Sequence, residues 1–459
     1  MGFALLGSDT LAFSLATGLV FLVRSLLKGA PYTEDPESIL LAALGALAAF
    51  SLKGLYPGIG ISPVSEIRIL TLANSAVALA FAALTFFAPS LSHFSRLSLL
   101  LFWLFSTTIL PILRLATRYG LSRLPIWGEP VILFGNGIRA KFVYKHLRKR
   151  RMLGFDPVLF SAQSSEPPIE IECDYISLET LLAQPEFLRR TGLRTALLTG
   201  KSLHEPERTK LLQMQGNVFE RLIKIPDEHD LGSLGVSALD LDGIFAFEVH
   251  QNLAHRPRRV IKRIVDICLT VLGSILALPV ALLIILAIRL TSPGPALYRQ
   301  TRIGKDGLPF EAWKFRTMVV DADNILAEAL RRDPALQAEW QAKHKLQHDP
   351  RISPVGKFLR RFSLDELPQL WNILRGEMSL VGPRPIVQEE IPHYGSDFEL
   401  YKAVQPGLTG LWQVSGRNNT TYEERVRLDV YYVRNWSIWM DIYILIKTIW
   451  VVLKQEGAY

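Results

Sequence analysis

The chain has 459 residues, 49% of them hydrophobic, and a formal net charge of +8. Its mean hydropathy of +0.21 is too high for a disordered chain or for a protein kept wholly in water. The 51 Lys and Arg against 43 Asp and Glu suit an anionic membrane surface or phosphorylated ligands as well as nucleic acid. The two cysteines, Cys173 and Cys268, cannot build a zinc ribbon or a CxxC motif and read as buried thiols.

Four apolar stretches occupy the start of the chain, at 9–27, 38–57, 66–88 and 94–116. Each is near the roughly 20 residues that cross a bilayer. A cleavable signal peptide is not expected, because the first cation, Arg24, follows the apolar run instead of preceding it. The loop Thr33–Pro36 is acidic, whereas Arg114, Arg118 and Arg123 follow the fourth stretch. That end is therefore predicted to be cytoplasmic, and an even number of crossings puts the N-terminus on the same side.

From about residue 128 the composition becomes that of an α/β protein. Val131–Phe134 reads as a buried strand, Gly135–Ala140 as a glycine turn, and a helix follows to about 150, as in a dinucleotide-binding crossover. The next strand, near Val158–Phe160, ends in Ser161-Ala162-Gln163 with no carboxylate to hold a ribose. The glycines then either approach a nucleotide or simply make the turn. Further strands are predicted at Thr195–Thr199 and Val218–Ile225, and the region ends near 250.

The basic cluster His255–Arg263 precedes an uncharged run, Ile267–Ile288, with Pro279 at its middle. Arg289, Arg299, Arg302 and Lys305 make the far flank basic as well. Two basic flanks belong on one side of the membrane. A re-entrant helix over 260–290 that breaks at Pro279 satisfies this; a kinked spanning helix does not. The last segment, Trp436–Leu453, carries Asp441 and Lys447 and reads as an amphipathic helix at the interface.

Residues 299–435 hold the chemistry. Lys314 and Arg316 alternate, so on a strand they face one side and can grip a diphosphate. Asp365 and Glu366 stand at a predicted helix start, with Ser363 as N-cap and Arg360 and Arg361 before them. Gly382-Pro383-Arg384-Pro385 fixes an arginine on a rigid turn, offering a fork to phosphate. Gln405–Gly410 makes a second such turn, leading to Gln413–Asn418 with Arg417. Asp429, in Leu428–Val433, is either an aid to a metal or an arginine's partner. No HExxH, Walker lysine or GxSxG motif occurs, and the histidines lack metal-ligand spacing. Hard acids among arginines point to Mg²⁺ and phosphoryl chemistry.

These motifs, with Gly376–Ser379 and the basic–apolar–Pro279 segment, resemble those of the bacterial sugar transferase family, the polyprenyl-phosphate hexose-1-phosphate transferases. The likeness covers about 258–459, and the whole chain resembles the family's long form. The implied architecture is membrane α plus α/β: four transmembrane helices over 1–122, a Rossmann-like cytosolic domain over 123–250, and a monotopic catalytic domain with its re-entrant helix over 255–459. The resemblance implies transfer of a hexose-1-phosphate, galactose in the most similar type and glucose in the next, from a UDP-hexose to undecaprenyl phosphate. UMP leaves, and the product starts O-antigen, capsule or exopolysaccharide assembly at the cytoplasmic face of the bacterial inner membrane. It implies Asp365 as nucleophile, Glu366 beside it, Mg²⁺ on both, and Lys314, Arg316, Arg360, Arg384 and Arg417 on substrate phosphates. It adds no organic cofactor and no nucleic acid, and leaves a homodimer open; membrane lipids are the remaining partner. One departure is Leu278-Pro279 where the family often has Ser-Pro. A membrane-anchored nucleotide-sensing scaffold is the alternative from another class; it would have no use for Asp365, Glu366 and Arg384.

Overall fold

A computed structural model of the chain describes residues 1–29, 36–87, 95–125, 127–135, 137–162, 173–183, 191–199, 219–225, 236–241, 244–249, 253, 256–333, 336–337, 346, 349–416 and 420–454. The chain divides into two compact units, Met1–His229 and Asp230–Tyr459.

The first unit opens with α1 (Gly2–Lys28), α2 (Pro36–Leu52), α3 (Pro63–Phe87) and α4 (Arg96–Leu121). Among the described residues, four helical segments are long and apolar enough to cross a membrane: α1, Pro63–Thr85 of α3, α4, and Arg258–Thr291 of a later helix. α2, with 17 residues, is a shorter apolar helix. Small residues face inward, with Ala12, Ala16, Ala42 and Ala46 buried around Phe13, which stacks on Phe50 and Phe102. Leu11, Leu22, Leu41, Leu44 and Leu100 are exposed. Small inside and large aliphatic outside is the pattern of helices packed in lipid.

A buried charge cluster closes one end of this bundle. Arg114 donates to Glu66 at 2.8 Å, to the Leu55 carbonyl at 2.5 Å and to Asp9. Tyr56 donates to the same Asp9 carboxylate at 2.5 Å. Arg118 pairs with Glu66 at 2.7 Å and donates to the carbonyls of Gly58 and Met152. Arg114 and Arg118 are thus internal, neutralised by acids from α1 and α3, and do not face lipid headgroups as a flanking cluster would. Arg118 also ties the bundle to the sheet that follows, since Met152 lies in the 3-10 turn Arg151–Leu153 before its second strand. Gly60 donates to the Leu153 carbonyl at 2.8 Å. A Cβ on Gly60 would meet the Phe155 ring at 2.8 Å, so a glycine is needed for this close approach.

The sheet comprises β1 (Glu129–Phe134), β2 (Phe155–Ala162), β3 (Asp174–Ser177), β4 (Thr195–Thr199) and β5 (Arg221–Ile225). All neighbours are parallel, in the order β3-β2-β1-β4-β5. Their near-continuous apolar runs fit burial on both faces. Ile132, Phe134, Leu159 and Leu198 face Leu178 and Leu181 of α6 (Leu178–Ala183). Val131, Leu133 and Phe160 face Ala140, Val143 and Tyr144 of α5 (Gly137–Lys149). Asn136 of the glycine turn and Gln163 lie outside the described residues.

The second unit begins with an antiparallel hairpin, β6 (Val236–Leu241) and β7 (Ile244–Val249). It continues with α7 (Arg256–Thr291), the hairpin β8 (Leu297–Ile303) and β9 (Pro309–Phe315), α8 (Ala322–Arg332), α9 (Pro354–Arg361), α10 (Gln369–Arg375), β10 (Ser379–Val381), α11 (Phe398–Lys402), β11 (Gly407–Thr409), α12 (Tyr422–Asn435) and α13 (Ile438–Lys454). α7 stays helical on both sides of Pro279. The proline withholds the N–H that would bond to the Ile275 carbonyl and crowds that carbonyl, so it is the point at which the helix can bend.

Both ends of α7 are fastened to this unit. Near its start, Lys262 donates to Asp441 at 2.8 Å, Asp266 accepts from Ser379 at 2.7 Å, and Arg263 donates to the carbonyls of Ile373 and Leu374 at the end of α10. Near its end, Ile284 and Ile288 pack against Phe315 and Leu359. Between the two anchors no residue from 271 to 283 is buried. Cys268 is exposed on α7 and Cys173 is half-buried, so neither is the buried thiol expected. In α13, Asp441 faces inward, accepting also from Trp436 at 2.9 Å.

Replacing Arg118 by Met leaves Glu66 short of a partner in the bundle, and breaking a buried pair costs about 3–5 kcal/mol. The thermal midpoint in detergent should fall accordingly. Arg123→Gln, at an exposed position, should leave it unchanged.

Candidate active site

The β8–β9 hairpin sets the first cations. Tyr298 pairs with Lys314 and Arg302 with Phe310. Residues paired across a ladder share a face, as do residues two apart along a strand, so Arg302 and Lys314 stand on one face. Lys314 donates to Glu366 Oε1 at 2.7 Å.

The acidic pair sits on a tight turn. Ser353 caps α9 by accepting from the Gly356 N–H at 2.9 Å, and Pro354 opens the helix. After Arg361 the chain reverses through Ser363, at φ 53°, a left-handed conformation uncommon for a residue with a side chain. Leu364–Glu366 then form a 3-10 turn, and α10 starts only at Gln369. Asp365 and Glu366 therefore precede a helix, and the Ser363 side chain caps nothing, because its backbone is in the wrong region for an N-cap. Leu364 and Leu367 on either side of the pair pack against the apolar cluster that Ile284 and Ile288 of α7 form with Ala296, Phe315 and Leu359. The acidic turn is thus seated on the apolar helix.

Burial and the neighbouring Glu366 push the Asp365 carboxyl up to about 6, against the opposing pull of Lys314 and Arg360. Arg360 donates to the Thr317 hydroxyl at 3.0 Å, and burial lowers its pKa although Asp365 and Asp349 raise it. Burial also lowers that of Arg302, helped by Arg384 and opposed by Glu390 and Glu366. Arg302 is thus within electrostatic reach of both the acidic pair and the Gly-Pro-Arg-Pro turn. Its site role was not legible in the sequence, where it reads as part of a basic flank; the signal is the hairpin register that aligns it with Lys314.

Arg384 lies 5.4 Å from the Trp412 ring, and Arg425 lies 4.3 Å from the same ring. Arg425 is a further cation that the motifs did not single out. The turn carrying Arg384 is held by Tyr401, which lies within hydrogen-bonding distance of the Ile303 and Arg384 carbonyls and accepts from the Ile386 N–H. Asp429 is buried and accepts from Tyr394 at 2.8 Å. Burial raises its carboxyl to about 7, against Tyr394, the Arg384 backbone N–H, Arg425 and Arg384. It braces the Arg384 turn from inside.

The glycines of the two turns serve packing. A Cβ on Gly407 would lie 2.1 Å from the Gly382 nitrogen, and one on Gly410 would lie 2.4 Å from the Gly382 carbonyl oxygen. β10 and β11 pair in parallel here, and backbone touches backbone.

Two expected phosphate ligands differ. The strand ends at Phe315, so the alternation with Lys314 stops there. Arg316 turns away and donates to the Ser292 and Pro293 carbonyls beyond α7. Arg417 lies outside the described residues. Among the described residues no group of three or more His, Cys, Asp or Glu is arranged to hold a metal ion. Asp365 and Glu366 nonetheless fit Mg²⁺, which takes one or two carboxylates and completes its shell with waters and substrate phosphates.

The chain belongs to the bacterial sugar transferase family, whose model matches residues 257–455, and it is an enzyme of that family. Undecaprenyl-phosphate galactose phosphotransferase of Salmonella typhimurium is 39% identical over 375 residues, 80% of this chain and 77% of its own. UDP-galactose-lipid carrier transferase of Erwinia amylovora is 37% identical over 372 residues, 80% and 76% of the two chains. UDP-glucose:undecaprenyl-phosphate glucose-1-phosphate transferase of Escherichia coli is 36% identical over 259 residues, 54% and 52% of the two.

Gly407→Ala should destabilise the second unit by about 1–3 kcal/mol or more through overpacking, visible as a lower thermal midpoint and lost transferase activity. For Asp429 the folded carboxyl titrates near 7 against an ordinary value of 3.8. Its folded state holds the proton more tightly, so this group's contribution is full below about 3.8 and is lost as pH rises through 7. The thermal midpoint should therefore fall between about pH 4 and 7 more steeply in the wild-type protein than in Asp429→Asn.

Proposed function

We propose that this enzyme transfers galactose-1-phosphate from UDP-galactose to undecaprenyl phosphate, in two displacements through Asp365. The observation that carries the reading is the seat of the acidic pair. It is ringed by Lys314, Arg360, Arg302 and, through Arg302, Arg384, and it packs on a helix whose middle is exposed and apolar. A soluble diphosphate and a lipid phosphate can both reach such a place.

In the first displacement an Asp365 carboxylate oxygen attacks the β-phosphorus, its bond to the bridging oxygen breaks, and UMP leaves with the electron pair. In the second, a phosphate oxygen of undecaprenyl phosphate attacks the phosphorus of the aspartyl phospho-sugar and the carboxylate returns. Both steps concentrate negative charge, and neutralisation and positioning are most of what phosphoryl transfer needs. Lys314 holds Glu366 while offering its charge to the diphosphate. Arg360 and Arg302 are desolvated enough for their charges to act strongly, and Arg384 adds a third cation. Mg²⁺, for which Asp365 and Glu366 supply acidic donors, would add charge neutralisation when bound.

Galactose is chosen because two of the relatives matched over 80% of this chain carry galactose in their names, whereas the glucose transferase is matched over 54%. We read α7 as re-entrant, both anchors lying on the same unit, and the catalytic unit as facing the cytoplasm, where nucleotide sugars are. The strand order of the first unit supports a Rossmann-like reading of its sheet. The product would start O-antigen, capsule or exopolysaccharide assembly at the inner membrane.

The test uses purified full-length protein with Mg²⁺, undecaprenyl phosphate and either UDP-galactose or UDP-glucose, measuring UMP. UMP should form faster from UDP-galactose. Asp365→Asn should lower the rate by at least about 10³-fold, and without lipid acceptor the wild type should gain one hexose-phosphate mass on the Asp365 peptide. An unchanged rate in Asp365→Asn would overturn the nucleophile, and preference for UDP-glucose would overturn the sugar.

A further inference from the structure

A second basic cavity lies at the other end of α7. It has a volume of about 380 Å³ and is lined by Arg259, Lys262, Arg263 and Asp266 of α7, Lys305 of the β8–β9 turn, and apolar side chains including Met378 and Val404. Arg259, Lys262, Arg263 and Asp266 recur at helical spacing and share one face. Lys262 is committed to Asp441 and Asp266, and Arg263 to the α10 carbonyls. The side chains of Arg259 and Lys305 form no ion pair or hydrogen bond with a described residue. Two cations from distant parts of the sequence thus converge on one cavity with no paired acid among the described residues.

The cavity is separate from the acidic pair. Leu364 and Leu367, which flank the pair, join the apolar cluster at Ile284 and Ile288 of α7, whereas the cavity uses 259–266. Lys305 is at the tip of the hairpin, and Lys314 near its open end, five residues up β9 from Pro309, about 17 Å at strand rise. The walls are apolar, and Val260 and Ile264, which line the cavity, are 57% and 56% exposed. They continue into the bare apolar middle of the helix.

We propose that this cavity binds the headgroup phosphate of an anionic phospholipid, distinct from the lipid substrate, with Arg259 and Lys305 on the phosphate and the acyl chains running along Val260 and Ile264. A free phosphate would gain nothing from the apolar walls, and a zwitterionic headgroup would bring its own cation to two others. The site rests on the reading of α7 as embedded in the membrane, and it supplies a lipid anchor at the flank where headgroups lie.

The test titrates the full chain, in zwitterionic detergent, with dihexanoyl-phosphatidylglycerol, dihexanoyl-phosphatidylcholine, inorganic phosphate or undecaprenyl phosphate, and follows the thermal midpoint. Phosphatidylglycerol should raise the midpoint saturably, and phosphatidylcholine and inorganic phosphate should not. Arg259→Gln with Lys305→Gln should raise the half-saturating concentration roughly 10–30-fold, as loss of two interfacial cations predicts. Arg259→Lys with Lys305→Arg should restore it, and Asp365→Asn should leave it unchanged. Equal shifts from both phospholipids, or an unaltered half-saturation in the glutamine variant, would sink the site. Inorganic phosphate giving the same shift would make it a free-phosphate site, and displacement of phosphatidylglycerol by undecaprenyl phosphate in Asp365→Asn protein would make it a polyprenyl site; either overturns the proposal. UMP release measured on the same samples separates this outcome from failure of the transferase reading.

Discussion

The second unit depends on how α7 is held at its two ends. At one end Asp441 gathers Lys262, Tyr432 and Trp436 within 2.9 Å. Such a cluster is costly to desolvate and worthwhile only when every member is satisfied, and removal of one leaves the others uncompensated in a dry place. At the other end the contact is purely apolar, Leu364 and Leu367 against Ile284 and Ile288. The charged anchor fixes register and the apolar one fixes seating. Together they deliver the acidic turn to an exposed helix without burying the helix itself.

The same balance governs the site. Burial makes each charge stronger for a ligand and less comfortable without one. Asp365 is raised and Arg302 and Arg360 are lowered, all by loss of water. The cluster therefore favours the arrival of a diphosphate, whose charges the arginines lack among themselves. The strain-prone Ser363 conformation belongs to this economy too, since it reverses the chain where a regular helix would carry Asp365 past Lys314.

Much of this was legible in the sequence because it is carried by residue types in tight spacing. The strand at Thr195–Thr199, the glycine–proline turns, the acidic pair and the long apolar segment before β8 could all be read. What escaped depends on register and depth. Arg302 and Lys314 are twelve residues apart and meet through a hairpin whose pairing no motif states. Arg316 leaves the face of Lys314 because its strand ends one residue earlier. Arg114 and Arg118 look like a cytoplasmic flank until Asp9 and Glu66 are seen beside them. The glycines of the two turns were read as bends, yet what they permit is contact between backbones.

That contact has a consequence for how such an enzyme can diversify. Gly382 and Gly407 each occupy the space in which the other's side chain would grow, so neither position is free to vary while its counterpart stays. The segment bearing Arg384 and the segment leading to Trp412 are locked as a pair, and the arginine's position is inherited with the lock. Adaptation must then come from surfaces outside this joint, leaving Arg384 where it stands while the residues around it are rewritten.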